Sequence, residues 1–323
     1  MLFPFRARPV QASGDDSPAR HVFSYVWRMS GHHQVWLCLL ALFLAALGVA
    51  PLELQRRIVD GALEGSDAVL LWWLCGFYLV VVLTQASAKY ALRLYQSWLA
   101  ESAILYTRRH LSRLYETRAE ERARSESGEG GQAVSIIGAE VEKLGGFVGD
   151  GLSQPVVNAG MLLALLAYML AVEPLVAVVT LPFLLPLLVV LPLIQVRINR
   201  LLERRLVILR DVGDEIAAAG ETNLEEFEGA LHPKLERVYR LRIKLALLKF
   251  AAKGLINLSN NLAPVAILLT GGLMVIEGSS TVGTVVAFVS GFQRMTDPAR
   301  ELLNYYRLAS QAQVQHRMIA KWM

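Results

Sequence analysis

The chain has 323 residues, of which 54% are hydrophobic, and it carries 32 Lys and Arg against 28 Asp and Glu. These charges are grouped in blocks between long uncharged stretches, which is typical of a polytopic membrane protein and argues against a soluble domain. The only cysteines, Cys38 and Cys75, lie inside uncharged stretches, where a free thiol behaves as a small hydrophobic group.

Six uncharged stretches predict an all-α membrane protein with six transmembrane helices. They cover residues 35–52, 68–88, 151–172, 174–196, 254–276 and 278–293. The sixth has 16 uncharged residues, about 24 Å of helix, so it must extend past Arg294 to cross about 30 Å of hydrocarbon. Three prolines in the fourth stretch, Pro182, Pro186 and Pro192, predict a bend there.

The basic residues predict the orientation of these crossings. Thirty of the 32 Lys and Arg fall in segments on one side of the membrane, and two fall on the other. Because basic residues accumulate on the cytoplasmic side, we expect both termini to be cytoplasmic in a plasma or inner cell membrane. Residues 1–20 would form a cytoplasmic tail, since they lack the apolar core of a secretory signal.

Two cytoplasmic segments are far longer than a connection requires. Residues 89–124 contain no glycine or proline and would continue the second crossing as a charged helix for about 50 Å. Beyond Gly128, Gly130 and Gly131, residues 132–144 can form a short helix before further glycines, Gly145, Gly146, Gly149 and Gly151, interrupt it. The second segment repeats this plan, with a short helix over residues 221–229, a break at His232 and Pro233, and a basic return helix over residues 234–253.

These features resemble the six-helix transmembrane domain of ATP-binding-cassette (ABC) exporters, whose long cytoplasmic loops end in coupling helices. The resemblance covers residues 21–319, followed only by residues 320–323. Local matches are Gly130 and Gly131, the Glu140, Val141, Glu142 run, the segment Glu221 to Phe227, the segment Thr281 to Phe288, Pro298 and Arg317. The resemblance implies two coupling helices, with Glu140, Val141, Glu142, Glu225, Glu226 and Phe227 as candidates for contacts with an ATPase. Phe227, an aromatic residue among glutamates, would be the anchor.

No Gly-x-x-x-x-Gly-Lys-Ser/Thr phosphate loop occurs in the sequence. We therefore expect the chain to be a permease subunit and not an enzyme. ATP and Mg would be bound, and the ATP hydrolysed, on a separate nucleotide-binding subunit. Two chains, identical or different, would enclose the path across the bilayer. The alternative is a membrane scaffold or regulator without a motor. No catalytic, metal or cofactor residues are predicted, because the six histidines lack partners at ligand spacing, and we expect no nucleic acid partner.

Polar side chains inside apolar stretches are costly in hydrocarbon and usually face a cavity or another helix. The candidates for lining a cavity are Gln85, Asn158, Asn257, Asn260, Asn261, Arg294 and Asp297. For the amides, hydrogen bonding between helices is an equally good explanation. Arg294 and Asp297 are spaced i, i+3, so an ion pair within the helix is the simplest expectation for them, compatible with lining a cavity.

Overall fold

A computed structural model of the chain describes residues 21–63, 65, 68–122, 136–218 and 224–322. All regular structure in these ranges is helical, which confirms the all-α class. Within these ranges, five helices are long and apolar enough to cross a membrane, namely His32–Leu63, Ala68–Glu116, Gly138–Val172, Pro174–Gly213 and Leu231–Ile276. Each contains one of the first five predicted crossings. The predicted tail, residues 1–20, lies outside the described residues.

In chain order the helices are α1 (Val22–Ser30), α2 (His32–Leu47), α3 (Ala50–Leu63), α4 (Ala68–Arg122), α5 (Val141–Asp150), α6 (Ser153–Val172), α7 (Pro174–Leu185), α8 (Leu191–Ala218), α9 (Leu224–Ile276) and α10 (Val282–Trp322). Wider π-helical turns at Ile136–Glu140 and Pro186–Val190 precede α5 and α8. The second of these turns begins at a proline of the predicted bend, because a proline cannot donate the regular backbone hydrogen bond.

The chain divides into two compact units, and the first contains α1 to α6 together with α10. Its core lies where α4, α5 and α10 meet the first two helices, and it includes Leu37, Leu99, Leu111, Leu144 and Phe147. Gly31 separates α1 from α2 with a φ of 47°, a conformation that glycine adopts without the penalty a Cβ would bring. The bend lets α1 pack its buried face on the same core as α2.

Helix α10 contains the sixth predicted crossing but is not one of the five apolar helices. It begins at Val282, which leaves residues 282–293, about 18 Å of helix, before Arg294. Its first turn is bound by α3: Asp60 Oδ1 accepts a hydrogen bond of 2.7 Å from the Gly283 N–H, and Asp60 Oδ2 accepts one of 2.9 Å from Thr281 Oγ1. A carboxylate at a helix N-terminus satisfies free backbone donors and is favoured by the helix dipole.

Helix α5 contains Gly145, Gly146 and Gly149, so the prediction that these glycines interrupt a helix is wrong. The reason is the close approach of α5 to α4. A Cβ at Gly145 would overlap with the Ile104 side chain, and one at Gly149 with the backbone of Gln96. Glycine allows two helices to come this close. The helix ends only at Asp150, next to Gly151.

The second unit contains α7, α8 and α9. Helix α9 runs without interruption from Leu224 to Ile276 and includes Pro233, so the predicted break at His232 and Pro233 is wrong. A proline removes one backbone hydrogen bond, and a helix of 53 residues retains enough others to continue through it. The residues expected to form a separate second coupling helix are therefore, from Leu224 onward, the first turns of α9.

The apolar parts of the long helices are largely uncovered. Only 6% of the most apolar part of α4 is buried, and Trp72 and Trp73 are 80% and 75% exposed. A soluble protein rarely leaves a contiguous apolar face of this length in water. The faces suit contact with lipid hydrocarbon.

Candidate functional site

The first unit contains a cavity of about 640 Å³ bounded by four helices. Its lining is Leu44 of α2; Val82, Gln85, Ala86, Lys89, Leu92 and Arg93 of α4; Gln154, Val157, Asn158 and Met161 of α6; and Arg294, Asp297, Pro298 and Glu301 of α10. Four of the seven polar residues singled out in the apolar stretches therefore line one space. These are Gln85, Asn158, Arg294 and Asp297.

Helix α4 supplies one wall through a regular helical stripe. Gln85, Lys89 and Arg93 are spaced i, i+4 and i+8, so they share one helix face, and Val82 continues that face toward the apolar part of the helix. The stripe changes from apolar to cationic where the charged extension of α4 begins. Lys89 is the first charged residue after the uncharged stretch that starts at Ala68.

On helix α6 the order is reversed, since the polar lining residues come before Met161 along the chain. Gln154 and Asn158 lie in its first two turns, both buried, and Met161 follows one turn later. The Asn158 Nδ2 donates to the Gln154 carbonyl at 2.9 Å, which holds the side chain against its own helix. If α4 and α6 cross the membrane in opposite directions, the polar ends of both walls meet on one side and their apolar ends on the other.

Helix α10 brings three charged groups, Arg294, Asp297 and Glu301, to the cavity. The expected ion pair between Arg294 and Asp297 is wrong, because the Asp297 Oδ1 instead lies 3.7 Å from an Arg300 guanidinium nitrogen. Both arginines are three residues from Asp297, so the helix allows either pair, and the pair that forms points into solvent: the Asp297 side chain is 86% exposed. Pro298 cannot donate to the Arg294 carbonyl one turn earlier, which adds a backbone acceptor near the cavity.

The cations of the cavity differ in their surroundings. Arg93 lies close enough to Asp150 for an electrostatic interaction, and Asp150 also interacts with Glu301. Lys89 and Arg294, in contrast, form no ion pair within 4.0 Å with any part of the chain that the structure describes. An unpaired cation beside apolar walls requires water or a bound anion.

The joint between α5 and α6 is held by side chains of three other helices. Gln34 of α2 donates to the Val148 carbonyl at 2.6 Å, and Tyr305 of α10 donates to the Gly151 carbonyl at 2.7 Å. Gln96 of α4 donates to Ser153 Oγ at 2.7 Å, which in turn donates to the Gly149 carbonyl at 3.2 Å. The joint immediately precedes the cavity residue Gln154. The joint was not predicted, although a glutamine directly before an apolar stretch, Gln34, was an available signal.

The remaining amide candidates lie on α9 of the second unit and do not line this cavity. Asn257 and Asn261 are exposed within the apolar part of α9, and Asn260 is partly buried. Exposed amides at this position in a membrane helix need a polar partner or water.

The coupling candidates are divided between the two units. At the start of α5, Val141 is buried in the core, Glu142 pairs with Arg108 at 3.3 Å, and Glu140 pairs with Lys143 at 3.6 Å. Glu142 is the most exposed of the three expected contacts, whereas Val141 cannot itself reach a partner. The backbone of Glu225, Glu226 and Phe227 lies in the first turn of α9, and the side chains fall outside the described part of the structure.

A second polar cluster lies at the far end of α10. Tyr25 of α1 shares a hydrogen bond of 2.7 Å with Thr107 Oγ1, and burial raises the pKa of Tyr25 to about 12. The His316 ring stands 5.8 Å from the Tyr25 ring, and burial, with the nearby His21, lowers the pKa of His316 below its ordinary value. This buried histidine packs α10 against α1.

Over the described residues, no group of three or more His, Cys, Asp or Glu side chains could hold a metal ion. No protein-family model matches the chain, and no curated protein matches it.

Proposed function

We propose that this chain is the membrane-spanning permease subunit of an ABC-type transporter, powered by ATP hydrolysed on a separate nucleotide-binding subunit. The observation that carries the proposal is the length of α4 and α9, with 55 and 53 residues. Each measures about 80 Å, whereas crossing the hydrocarbon needs about 30 Å. The surplus is charged helix, which a membrane pore or channel has no need to build.

The two long extensions would project on the same side of the bilayer. α4 leaves the membrane at its C-terminal end, and α9 enters at its N-terminal end, with two further crossings, α6 and the α7–α8 helix, between them. Alternation of crossings then brings the surplus of both helices to one face. With six crossings and thirty of 32 Lys and Arg on that face, it is the cytoplasmic face.

The cavity supports a transport role. A space lined by charges and amides next to apolar helix surfaces is expensive to maintain, and such residues commonly mark the route of a substrate or ion. It also explains how α10 can serve as the sixth crossing despite the early charge of Arg294. That side chain faces the cavity and not lipid.

The motor would dock at the ends of the extensions. These 323 residues contain no phosphate loop, so the ATP and its Mg ion belong to a partner subunit in this proposal. The docking surfaces would be the exposed edge of α5 around Glu142 and the first turn of α9 around Phe227. A second permease chain, identical or related, would cover the exposed amides Asn257 and Asn261.

The direct test is reconstitution in nanodiscs with a co-expressed ABC ATPase subunit. The chain alone should neither bind nor hydrolyse ATP, and the complex should hydrolyse it faster than the free ATPase subunit. Phe227→Ala should abolish this stimulation without changing folding. Phe250→Ala is the matched control, since Phe250 is 71% exposed on the same helix but about 35 Å further along. ATP turnover by the pure chain would overturn the proposal.

Two outcomes separate transport from a scaffold role. If no ATPase subunit associates with the chain and Phe227→Ala has no effect on any assembly, the chain is a scaffold or regulator.

Topology gives an independent check, using a variant without Cys38 and Cys75. Ser279→Cys should react with an impermeant thiol reagent added outside intact cells, whereas Ser127→Cys should not; labelling at position 127 contradicts the proposed topology.

A further inference from the structure

The cavity of the first unit presents two chemically different ends. On α4 the apolar Val82 comes before Gln85 and Lys89, whereas on α6 the order is reversed, from the amide of Asn158 to Met161. In antiparallel crossings these sequences align, with cations and amides at the end facing the charged extensions. The other end is apolar. A ligand that fills both ends must itself be amphipathic.

The charge at the polar end is not balanced within the chain. Asp297 is offset by Arg300, and Arg93 lies beside Asp150. Lys89 and Arg294 have no ion-pair partner in the described ranges, although both line the cavity. Glu301 also lines the cavity and can offset only one of these two cations, so an excess of positive charge remains. A cationic ligand would add to this excess, and an anionic one would neutralise it.

We propose that this cavity binds an anionic amphiphile: a phosphate, sulfate or carboxylate head group on an apolar chain. Lys89 and Arg294 bind the head group, and Val82 and Met161 contact the chain. Lysine and arginine both form strong charge-assisted hydrogen bonds to such oxyanions. The volume of about 640 Å³ lies within the usual range for small-molecule sites. As a statement about cargo, this deepens the proposed transport function and rests on it.

Binding can be measured on the full chain in a nonionic maltoside detergent, without any ATPase partner. The probe is radiolabelled dodecyl phosphate, and unlabelled dodecyl phosphate, inorganic phosphate and dodecyltrimethylammonium are the competitors. Only the unlabelled dodecyl phosphate should displace the probe at matched concentration. Equal displacement by inorganic phosphate would reduce the site to an anion site, and equal displacement by the cation would refute the charge argument; either result overturns the proposal.

Charge variants give effects of opposite sign. Lys89→Gln and Arg294→Gln should each weaken binding about tenfold, the loss of one charge-assisted hydrogen bond. Glu301→Gln removes a negative charge from the lining and should strengthen binding. Lys253→Gln is the matched control, because Lys253 is an exposed lysine of α9 that does not line the cavity. Unchanged affinity in both Lys89→Gln and Arg294→Gln would overturn the proposal.

A measurement on the unaltered chain covers the case in which these variants do not fold. Dodecyl phosphate with a diazirine at the end of its chain is photoactivated in the bound state, and labelled peptides are identified by mass spectrometry. Label should appear in residues 82–93, 154–161 or 294–301, and label found only elsewhere would overturn the site. Binding without ATP-driven transport would refute the proposed function alone. Transport of another substrate without dodecyl phosphate binding would refute this inference alone.

Discussion

Replacing Asp60 tests whether α3 and α10 are held together at the first turn of α10. Asp60→Ala removes two hydrogen bonds, one from the Gly283 N–H and one from Thr281 Oγ1. Loss of an acidic cap costs about 1–2 kcal/mol, and hydrogen bonds to a charged group contribute about 1.5–3 kcal/mol each when buried. Because Thr281 is exposed, we expect a total of about 2 kcal/mol.

The assay is thermal unfolding of the purified chain in detergent, followed by intrinsic fluorescence. At roughly 2 °C per kcal/mol for a large domain, Asp60→Ala should lower the Tm by about 4 °C. Asp60→Asn keeps one acceptor oxygen and should cost about half as much. Gly283→Ala should also destabilise, since its Cβ would overlap with the Arg56 carbonyl oxygen.

The matched control is Arg57→Ala on the same helix. Arg57 pairs with Glu53 at 2.7 Å, but its side chain is 64% exposed, so the loss should stay below about 1 kcal/mol. A Tm for Asp60→Ala equal to that of the parent chain, or a larger fall for Arg57→Ala, would refute the reasoning that the cap stabilises α10.

Three further predictions concern packing, pH and charge. Gly149→Ala should lower the Tm because its Cβ meets the α4 backbone. A Cβ at Gly146 meets open space, so Gly146→Ala should leave the free energy of unfolding unchanged or raise it by up to about 1 kcal/mol through helix propensity; equal effects of the two substitutions would contradict the close approach of α5. Since the pKa of His316 is lowered in the folded chain, stability should fall as the pH drops below about 6.5, the ordinary histidine value. His316→Phe should flatten this dependence, measured as Tm against pH. Asp297→Ala should cost less than about 1 kcal/mol, and combining it with Arg294→Ala should give an additive loss, since Asp297 pairs with Arg300; a non-additive double variant would count against this pairing.

Much of the helical architecture could be predicted because it depends on local sequence. An uncharged stretch such as residues 68–88 determines both the helix and its lipid-facing surface, and the charged residues after Lys89 continue the same helix. The polar residues inside such stretches also identified Gln85, Asn158 and Arg294, which line one cavity. The signal was the cost of a polar side chain in hydrocarbon, because such a residue usually faces a cavity or another helix.

The sequence-based predictions that were wrong or missing involve packing between helices, often between distant parts of the chain. Gly149 looked like a helix breaker, because sequence alone does not reveal that α4 passes too close for a side chain. The cap on α10 joins residues 223 positions apart, and Asp60 carries no local sign of it. Asp297 has an arginine three residues away on either side, and only the packing of α10 decides which one it meets.

The clamped joint between α5 and α6 has a mechanical consequence. Because Gln34 binds a carbonyl near the end of α5 and Tyr305 binds the Gly151 carbonyl in the joint itself, α6 has a fixed pivot at one end and 20 residues, about 30 Å, of lever arm beyond it. A tilt of about 5° at the pivot would swing the far end of α6 by roughly 2.6 Å. Asn158, within two turns of the pivot, would move by less than about 1 Å. The lever would thus reshape the apolar end of the cavity while its amides stayed nearly in place.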